Sequence, residues 1–502
     1  MFKLIFSLSS LSFVGYAIGF INQTIIAKRF GTSAELDSYL IALSVVNFGW
    51  LFIGPVNEIS IPNFFKESKL SNENGSIYFS RVLNIILLFS IITSFLIYFF
   101  LPFIFSHVSS GSKIEYIQFK INILILLPII FLTAITQYFQ VVLNSMSKYI
   151  AQSIGKIVTA TISVIFLLLT FDVLGIKAII FGMEFGLITL SLLQFYFIFK
   201  HKIYYQPFSG VLIDKLFYKN IIALLLTYLL SALQLVYEKF VFMSFGNGVL
   251  SSYNYSQALY QIPQMIVTTG VLAIVSTDFM NKIHENEIDD GLNKLYDIAI
   301  NSFNIAMLVA ITISIYSKEI VYILFFRGNF NIDSFEKTSS ILCLLIFALP
   351  FLVLGSILGR ALVALKKVKI LTWINIFSSV TSIFFLYFSY INKNITFGIL
   401  SIILVHLIVV IYKIIKYQSF YLESNIKSNI FNLNFIKRFF ILLFYCIILL
   451  SLKYFLDISI NVNKLVLIKE LLFAGLIFSI TVAVYFKLLK IKPYEKAIFI
   501  NK

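Results

Sequence analysis

The chain alternates long apolar runs with short polar connectors. A run of about twenty mainly apolar residues can cross a bilayer as a helix. Such runs recur at about 4–28, 38–65, 80–106, 121–146, 149–171, 174–199, 220–245, 251–279, 297–316, 338–365, 370–391, 395–415, 439–456 and 465–487. The pattern predicts an all-α polytopic membrane protein with about fourteen transmembrane helices. The first two runs are joined by a tight turn at Phe30-Gly31-Thr32, and both carry polar residues at membrane depth: Asn22 and Gln23, then Asn47, Asn57 and Glu58. Such residues are costly in hydrocarbon unless they face a water-filled cavity or a partner helix. Pro55 and Pro62 in the second run and Pro263 in the eighth remove backbone bonds, which suits helices that bend.

Two connectors are longer than the rest. Residues 200–219 (KHKIYYQPFSGVLIDKLFYK) mix Lys with aromatic and aliphatic side chains, as an amphipathic helix on the inner membrane face would, and 416–438 read similarly. They divide the chain into an N-terminal six-helix lobe (1–200), a cytoplasmic amphipathic linker (201–219), a C-terminal six-helix lobe (220–416), a cytoplasmic connector (417–438), and a final helix pair with a cytoplasmic tail (439–502). An internal repeat agrees with this division. Phe30-Gly31 returns as Phe245-Gly246, Ser38-Tyr39 as Ser252-Tyr253 and Phe65 as Phe279, at an offset of about 215 residues. Six helices per half is an even number, so the halves form a parallel pseudo-repeat. That architecture places a substrate site near the midplane between them.

Composition changes the picture little. The chain is 60% hydrophobic and 12% charged, where a soluble protein carries about a quarter charged residues. The net charge of +16 reflects topology rather than nucleic acid. Lys and Arg collect in alternate connectors, which puts both termini in the cytoplasm. Cys343 and Cys446 both lie in apolar runs and offer neither a disulfide framework nor a metal site. The first run has a single Lys ahead of it and no small-residue cleavage site, so no cleavable signal peptide is expected.

Charged residues inside the runs are the candidate chemistry. Glu238 and Lys239 lie mid-run in the seventh helix. Neighbours on a helix point about 100° apart and make a poor pair with each other, so at least one of them faces a cavity or a partner on another helix. Lys156 in the fifth helix either snorkels to the interface or faces a cavity. Glu184, near mid-helix in the sixth, calls for a cavity or a Lys partner. Arg360 sits near the inner end of the tenth helix, suited to interfacial anchoring or to an anionic headgroup. Lys469-Glu470, at the start of the last helix, reads as structural. No phosphate-binding glycine loop, HExxH or Ser-His-Asp arrangement is present, and the outer connectors are short. A transporter is therefore expected, not an enzyme, with no cofactor beyond a coupling ion, Na+ or H+.

Several segments carry a resemblance. Gly19-Phe20, IIAKRFGTSAELDSYLIA (25–42), Asn47 and IPNFF (61–65) resemble the opening of the MurJ (MviN) family of lipid II flippases, within the multidrug/oligosaccharidyl-lipid/polysaccharide exporter superfamily. LNSMSKY (143–149), Glu238-Lys239 with GVLSSYNYSQALYQIP (248–263), FFRGNF (325–330) and GRALVALKKVKI (359–370) continue it in order over about residues 5–420. The final two helices agree in number only. The resemblance implies a bacterial inner-membrane flippase working by alternating access. A lipid-linked glycan and membrane lipids would be its partners, with no nucleic acid, and it would function as a monomer. Asn22, Gln23, Asn57 and Glu58 would line the first lobe, and Glu238, Lys239, Gln257 and Tyr260 the second. The chain departs from the family in its cations. Asn22-Gln23 replace an Arg-Asp pair, and arginines expected near Trp50-Leu51 and at Ala258 are missing. Arginine binds phosphate oxygens bidentately, so Lys239, Lys156 and Arg360 are the cations left for that task. The departures point to a different undecaprenyl-pyrophosphate-linked oligosaccharide, an O-antigen or capsule repeat unit. The alternatives are lipid II, the peptidoglycan precursor, and a cation-coupled multidrug antiporter.

Overall fold

The computed structural model describes residues 2–108, 113–146, 148, 150–210, 215–274, 288–365, 367–423, 433–456 and 464–488. They form seventeen α-helices: α1 (Phe2–Phe30), α2 (Ala34–Asn47), α3 (Trp50–Leu70), α4 (Asn72–Val108), α5 (Lys113–Ser145), α6 (Ile150–Leu174), α7 (Lys177–Lys200), α8 (Lys215–Ser244), α9 (Val249–Ile274), α10 (Ile288–Ile315), α11 (Ser317–Phe325), α12 (Ile332–Leu345), α13 (Ala348–Ala364), α14 (Val368–Ile391), α15 (Ile395–Glu423), α16 (Leu433–Leu456) and α17 (Lys464–Leu488). Every expected run is helical where it is described. Among the described residues nine helices are long and apolar enough to cross a membrane, or ten if the bent α12–α13 pair counts as one span. The expected count of fourteen is therefore not reached on length and apolarity alone.

Two expected helices are broken. The run at 38–65 divides into α2 and α3 at Phe48-Gly49, where both amides bond three residues back, to Val45 and Val46. Gly49 sits against Ile130 of α5, and Pro55 follows within the first two turns of α3. The run at 338–365 bends by 42° between α12 and α13. Pro350 has no N–H to give the carbonyl of Ile346, four residues back, and its ring crowds that carbonyl.

The described chain forms two compact units, residues 1–251 with 379–394, and 252–378 with 395–502. In the first, α6 and α7 pack closely through Gly182 and Gly186. A Cβ at Gly186 would lie 2.9 Å from the Thr159 carbonyl, and one at Gly182 3.1 Å from that of Ser163. Small residues spaced four apart let helix backbones approach in this way. The α1 end is tied to α6 by Arg29, which stacks on Phe171 at 4.5 Å and pairs with Asp172 at 3.5 Å. The buried core of α3, α4, α5 and α8 is built around Phe64, Phe79, Tyr138 and Phe217.

The linker expected as an amphipathic helix over 201–219 is not α-helical over 201–210, and its residues 215–219 already belong to α8. Residues 203–206 form no regular element, Gln206 is extended, and Pro207–Ser209 form one 3-10 turn that ends at Gly210. The cause lies on α4, where Ser76, Ser80 and Asn84 recur every four residues and share a face. Tyr204 N donates to Ser76 Oγ at 3.0 Å, Gln206 N to Ser80 Oγ at 2.8 Å, and Asn84 Nδ2 to the Gly210 carbonyl at 2.8 Å. Arg81 Nε donates to the Ser209 carbonyl at 3.0 Å. Backbone groups that a helix would satisfy internally are met by α4 instead. The middle of the second connector, 424–432, lies outside the described residues, as does Phe279 of the repeat.

In the second unit, α16 is fastened along α10 by polar contacts. Arg438 donates to Asn301 Oδ1 at 3.3 Å, Tyr445 shares a 2.6 Å hydrogen bond with Thr312, and Lys453 Nζ donates to the Ile315 carbonyl at 2.5 Å. Tyr485 of α17 also donates to Asn301, at 3.0 Å. Between these lies an apolar core of Leu308, Tyr316, Leu449 and Ala474. Elsewhere, buried Lys413 of α15 donates to the Gly355 carbonyl of α13 at 2.9 Å.

The two repeated turns meet in the first unit. Ser33 caps α2, accepting from Leu36 N at 3.3 Å. One turn into that helix, buried Asp37 reaches the start of α9. Its carboxylate accepts from Gly248 N at 2.6 Å, from Ser251 N at 2.7 Å and from Ser251 Oγ. The amides at a helix start have no partner within the helix, and a negative charge there is favourable. Gly248 has φ +80°, and a Cβ on it would lie 2.6 Å from the Thr32 carbonyl, so only glycine fits. Hydrogen bonds to a charged group contribute about 1.5–3 kcal/mol. Asp37→Ala is expected to destabilise the first unit by at least that much, and Asp37→Asn by less. Thermal unfolding of the purified protein measures this, and an unshifted Asp37→Ala midpoint would contradict the clamp.

Candidate functional site

The first unit contains a cavity of about 370 Å³. It is bounded by α2, α5, α7 and α8 through Leu43, Asn47, Thr133, Met183, Tyr228 and Leu235, among others. The lining is mainly apolar, with Ser44, Asn47, Thr133 and Ser231 adding polar points. Such cavities suit amphipathic ligands, whose polar groups are fixed by a few convergent contacts. Met183 is held from α2, since Tyr39 donates to its sulfur at 3.2 Å.

Tyr228 connects this cavity to the sequence candidates. Its ring lies against α3 at Gly54, and one turn further along its hydroxyl donates to Glu58 Oε1 at 2.5 Å. A Cβ at Gly54 would overlap the ring. Glycine therefore makes the groove and Glu58 ends it. The sequence reading included Glu58 and omitted Gly54 and Tyr228. Their signal is present: a glycine four residues before an intramembrane carboxylate leaves room on that face for a partner ring.

The other candidates are distributed over both units. Asn22 and Gln23 on α1, Asn57 on α3 and Glu184 on α7 each have a buried oxygen with no hydrogen-bond partner among the described residues. Lys156 on α6 is exposed. Its ammonium lies over the Tyr16 ring at 4.1 Å and donates to that hydroxyl at 2.8 Å, so it is engaged with α1. Glu238 is buried and Lys239 half-buried on α8. Both fall in the first unit, not with the second-lobe residues they were grouped with. In the second unit, Gln257 Nε2 donates to the Tyr253 hydroxyl at 2.7 Å. Buried Tyr260 has no partner for its own hydroxyl among the described residues, and Arg360 is exposed. The structure thus joins Glu58 to Tyr228, Lys156 to Tyr16 and Gln257 to Tyr253. Among the described residues no cluster of three or more His, Cys, Asp or Glu could hold a metal.

Comparison with known proteins decides the family. The family model described as "Lipid II flippase MurJ" matches residues 26–473. The chain belongs to the MurJ family. Its relatives include the probable lipid II flippase MurJ of Aquifex aeolicus, 26% identical over 386 residues, covering 74% of this chain and 73% of that protein. The corresponding Rickettsia prowazekii protein is 24% identical over the same length. A solved lipid II flippase MurJ in an inward closed conformation has the same fold, with a TM-score of 0.79 at 22% identity, over 97% of this chain and all of that one. The likeness thus extends into the last helix pair, where the sequence agreed in number only. An inward-facing multidrug resistance MATE family transporter of the MOP superfamily shares the fold more distantly, with a TM-score of 0.60 at 12% identity, over 84% of this chain and 96% of that one. MurJ proteins are lipid flippases, which sets this multi-pass membrane protein among transporters of lipid-linked substrates and apart from enzymes.

The groove on α3 gives a test. With a cysteine at Ser44 as reporter, Gly54→Ala is expected to change its labelling rate several-fold, because the Tyr228 ring must leave α3. Tyr228→Phe, which keeps the ring and removes only the hydroxyl, should change it much less. Equal rates in Gly54→Ala and the parent would refute the groove.

Proposed function

We propose that the chain carries lipid II across the bacterial inner membrane by alternating access, as a monomer with both termini in the cytoplasm. The observation that carries this reading is the MurJ family match over residues 26–473, supported by relatives bearing that function in their names. On residues alone, Asn22-Gln23 favour a different lipid-linked oligosaccharide. Family membership outweighs that preference, because it rests on most of the chain and the departure on a few positions.

The headgroup contacts follow from what replaces the missing arginines. Asn22, Gln23, Asn57 and Glu184 offer buried oxygens that accept hydrogen bonds, and a glycan-peptide headgroup is rich in O–H and N–H donors. Buried acceptors left unpaired are costly, so a donor-rich ligand gains from meeting them. Lys239, inside the span of α8, supplies a positive charge for phosphate, as a point charge where arginine would bind as a fork. Topology rests on the distribution of Lys and Arg among the connectors.

The decisive experiment is replacement. Expressed in a bacterium depleted of its own lipid II flippase, the chain should restore growth and surface exposure of lipid II. Lys239→Ala at equal protein level should lower translocation about tenfold, the loss of one contact worth about 1.4 kcal/mol. Failure to restore growth, with export of an O-antigen or capsule unit restored in the matching mutant, would return the substrate to the other lipid-linked glycans.

A further inference from the structure

We propose that Tyr316, Glu319 and Glu470 form a binding site for one monovalent cation, a proton or Na+, that fastens the final helix pair to α11. The proposal does not depend on which lipid is carried. The site lies where α10 ends, α11 begins, and α16 and α17 pack against them. Lys453 of α16 pairs with Glu319 Oε1 at 2.8 Å and donates to the Ile315 carbonyl at 2.5 Å. Its ammonium also stands 5.3 Å from the centre of the Tyr316 ring. α17 packs on α11, and Leu471 and Ala474, beside Glu470 on α17, pack into the buried cluster that holds Tyr316, which brings Glu470 within electrostatic range of Glu319, Lys453 and Tyr316.

The charges do not balance. Two carboxylates and one ammonium leave one negative charge among residues removed from solvent: Tyr316 is 0% exposed, Glu319 4% and Glu470 5%. A buried charge without a counter-charge is strongly unfavourable, and two neighbouring carboxylates repel unless a positive charge is shared between them. The oxygens for such a charge are present. Glu319 Oε2 and the Tyr316 hydroxyl are buried and have no partner among the described residues. Among the described residues the remaining ionisable groups nearby do not fill the gap. Lys318 and Lys469 are exposed, and the Tyr445 hydroxyl is engaged by Thr312. One cation completes the site: a proton bridging the carboxylates, or Na+ held by carboxylate and phenol oxygens. Either neutralises the contact between α11 and α17 and so stabilises docking of the last pair.

The test uses the purified full-length chain in nanodiscs. Thermal unfolding is followed against Na+ at fixed pH, with choline as the balancing ion, and against pH in choline alone. A ligand that binds the folded state raises the midpoint with its concentration. A rise with Na+ identifies Na+, and a rise only on acidification identifies the proton. Glu470→Gln should abolish the dependence, because Glu319 and Lys453 then form a neutral pair. Lys453→Met leaves two uncompensated carboxylates and should steepen it. Tyr316→Phe keeps both carboxylates, removes one oxygen, and should shift a Na+ response several-fold to higher concentration while leaving a proton response in place. That variant keeps the site testable if Glu470→Gln does not fold. A wild-type midpoint insensitive to both Na+ and pH, or a Glu470→Gln protein with the wild-type response, would overturn the proposal.

Discussion

Hydrocarbon supplies no hydrogen bonds, so a polar atom the chain carries to membrane depth needs a partner in the protein, in a ligand or in a water-filled cavity. Much of the tertiary structure follows from that constraint. Asp37 enters α2 as a buried carboxylate and is compensated by the amides of Gly248 and Ser251 at the start of α9. Glu58 is met by Tyr228, buried Lys413 by the Gly355 carbonyl, and Lys453 by Glu319 and the Ile315 carbonyl. Each of these is also a place where two helices are held in register. Apolar side chains cannot do this alone, because lipid is as apolar as a neighbouring helix and helix association gains little from the hydrophobic effect.

Helices were legible in the sequence because their signal is local, in runs of apolar residues long enough for a bilayer. Their breaks were less so. The α12–α13 bend follows from Pro350, visible in the sequence, whereas the α2–α3 break also needs Gly49 to lie against Ile130 of α5, a contact between residues far apart in the chain. The linker departs from a helix over 201–210 for a related reason. Its composition suits an amphipathic helix, but its backbone is claimed by the Ser76, Ser80 and Asn84 face of α4, some 120 residues earlier. Long-range competition of this kind overrides local preference.

The candidate site divides in the same way. Residues chosen because they are polar at depth, Asn22, Gln23, Asn57 and Glu184, do have buried oxygens with no partner among the described residues. The residues that shape the space around them were missed, because Gly54 and Tyr228 are ordinary in an apolar run and acquire meaning only when α8 lies on α3. Lys156 shows the opposite error. A lysine inside a helix is conspicuous in sequence, yet here it rests on Tyr16 of α1 on an exposed face.

The final helix pair makes a broader point about charge in this fold. In the sequence Lys469-Glu470 read as structural, bonded to one another or to neighbours; adjacent helix positions diverge, and the structure sends Lys469 outward and Glu470 inward. Glu470 therefore comes within electrostatic range of Glu319, whose Lys453 is already engaged. A helix pair intended only as inert packing would be better served by apolar side chains, since buried ion pairs rarely stabilise more than the hydrophobic residues that could replace them. An extra carboxylate beside a satisfied pair is costlier still. Its presence on α17, together with the polar contacts from Arg438, Tyr445 and Lys453 along α16, is explained by attachment whose strength responds to a bound cation.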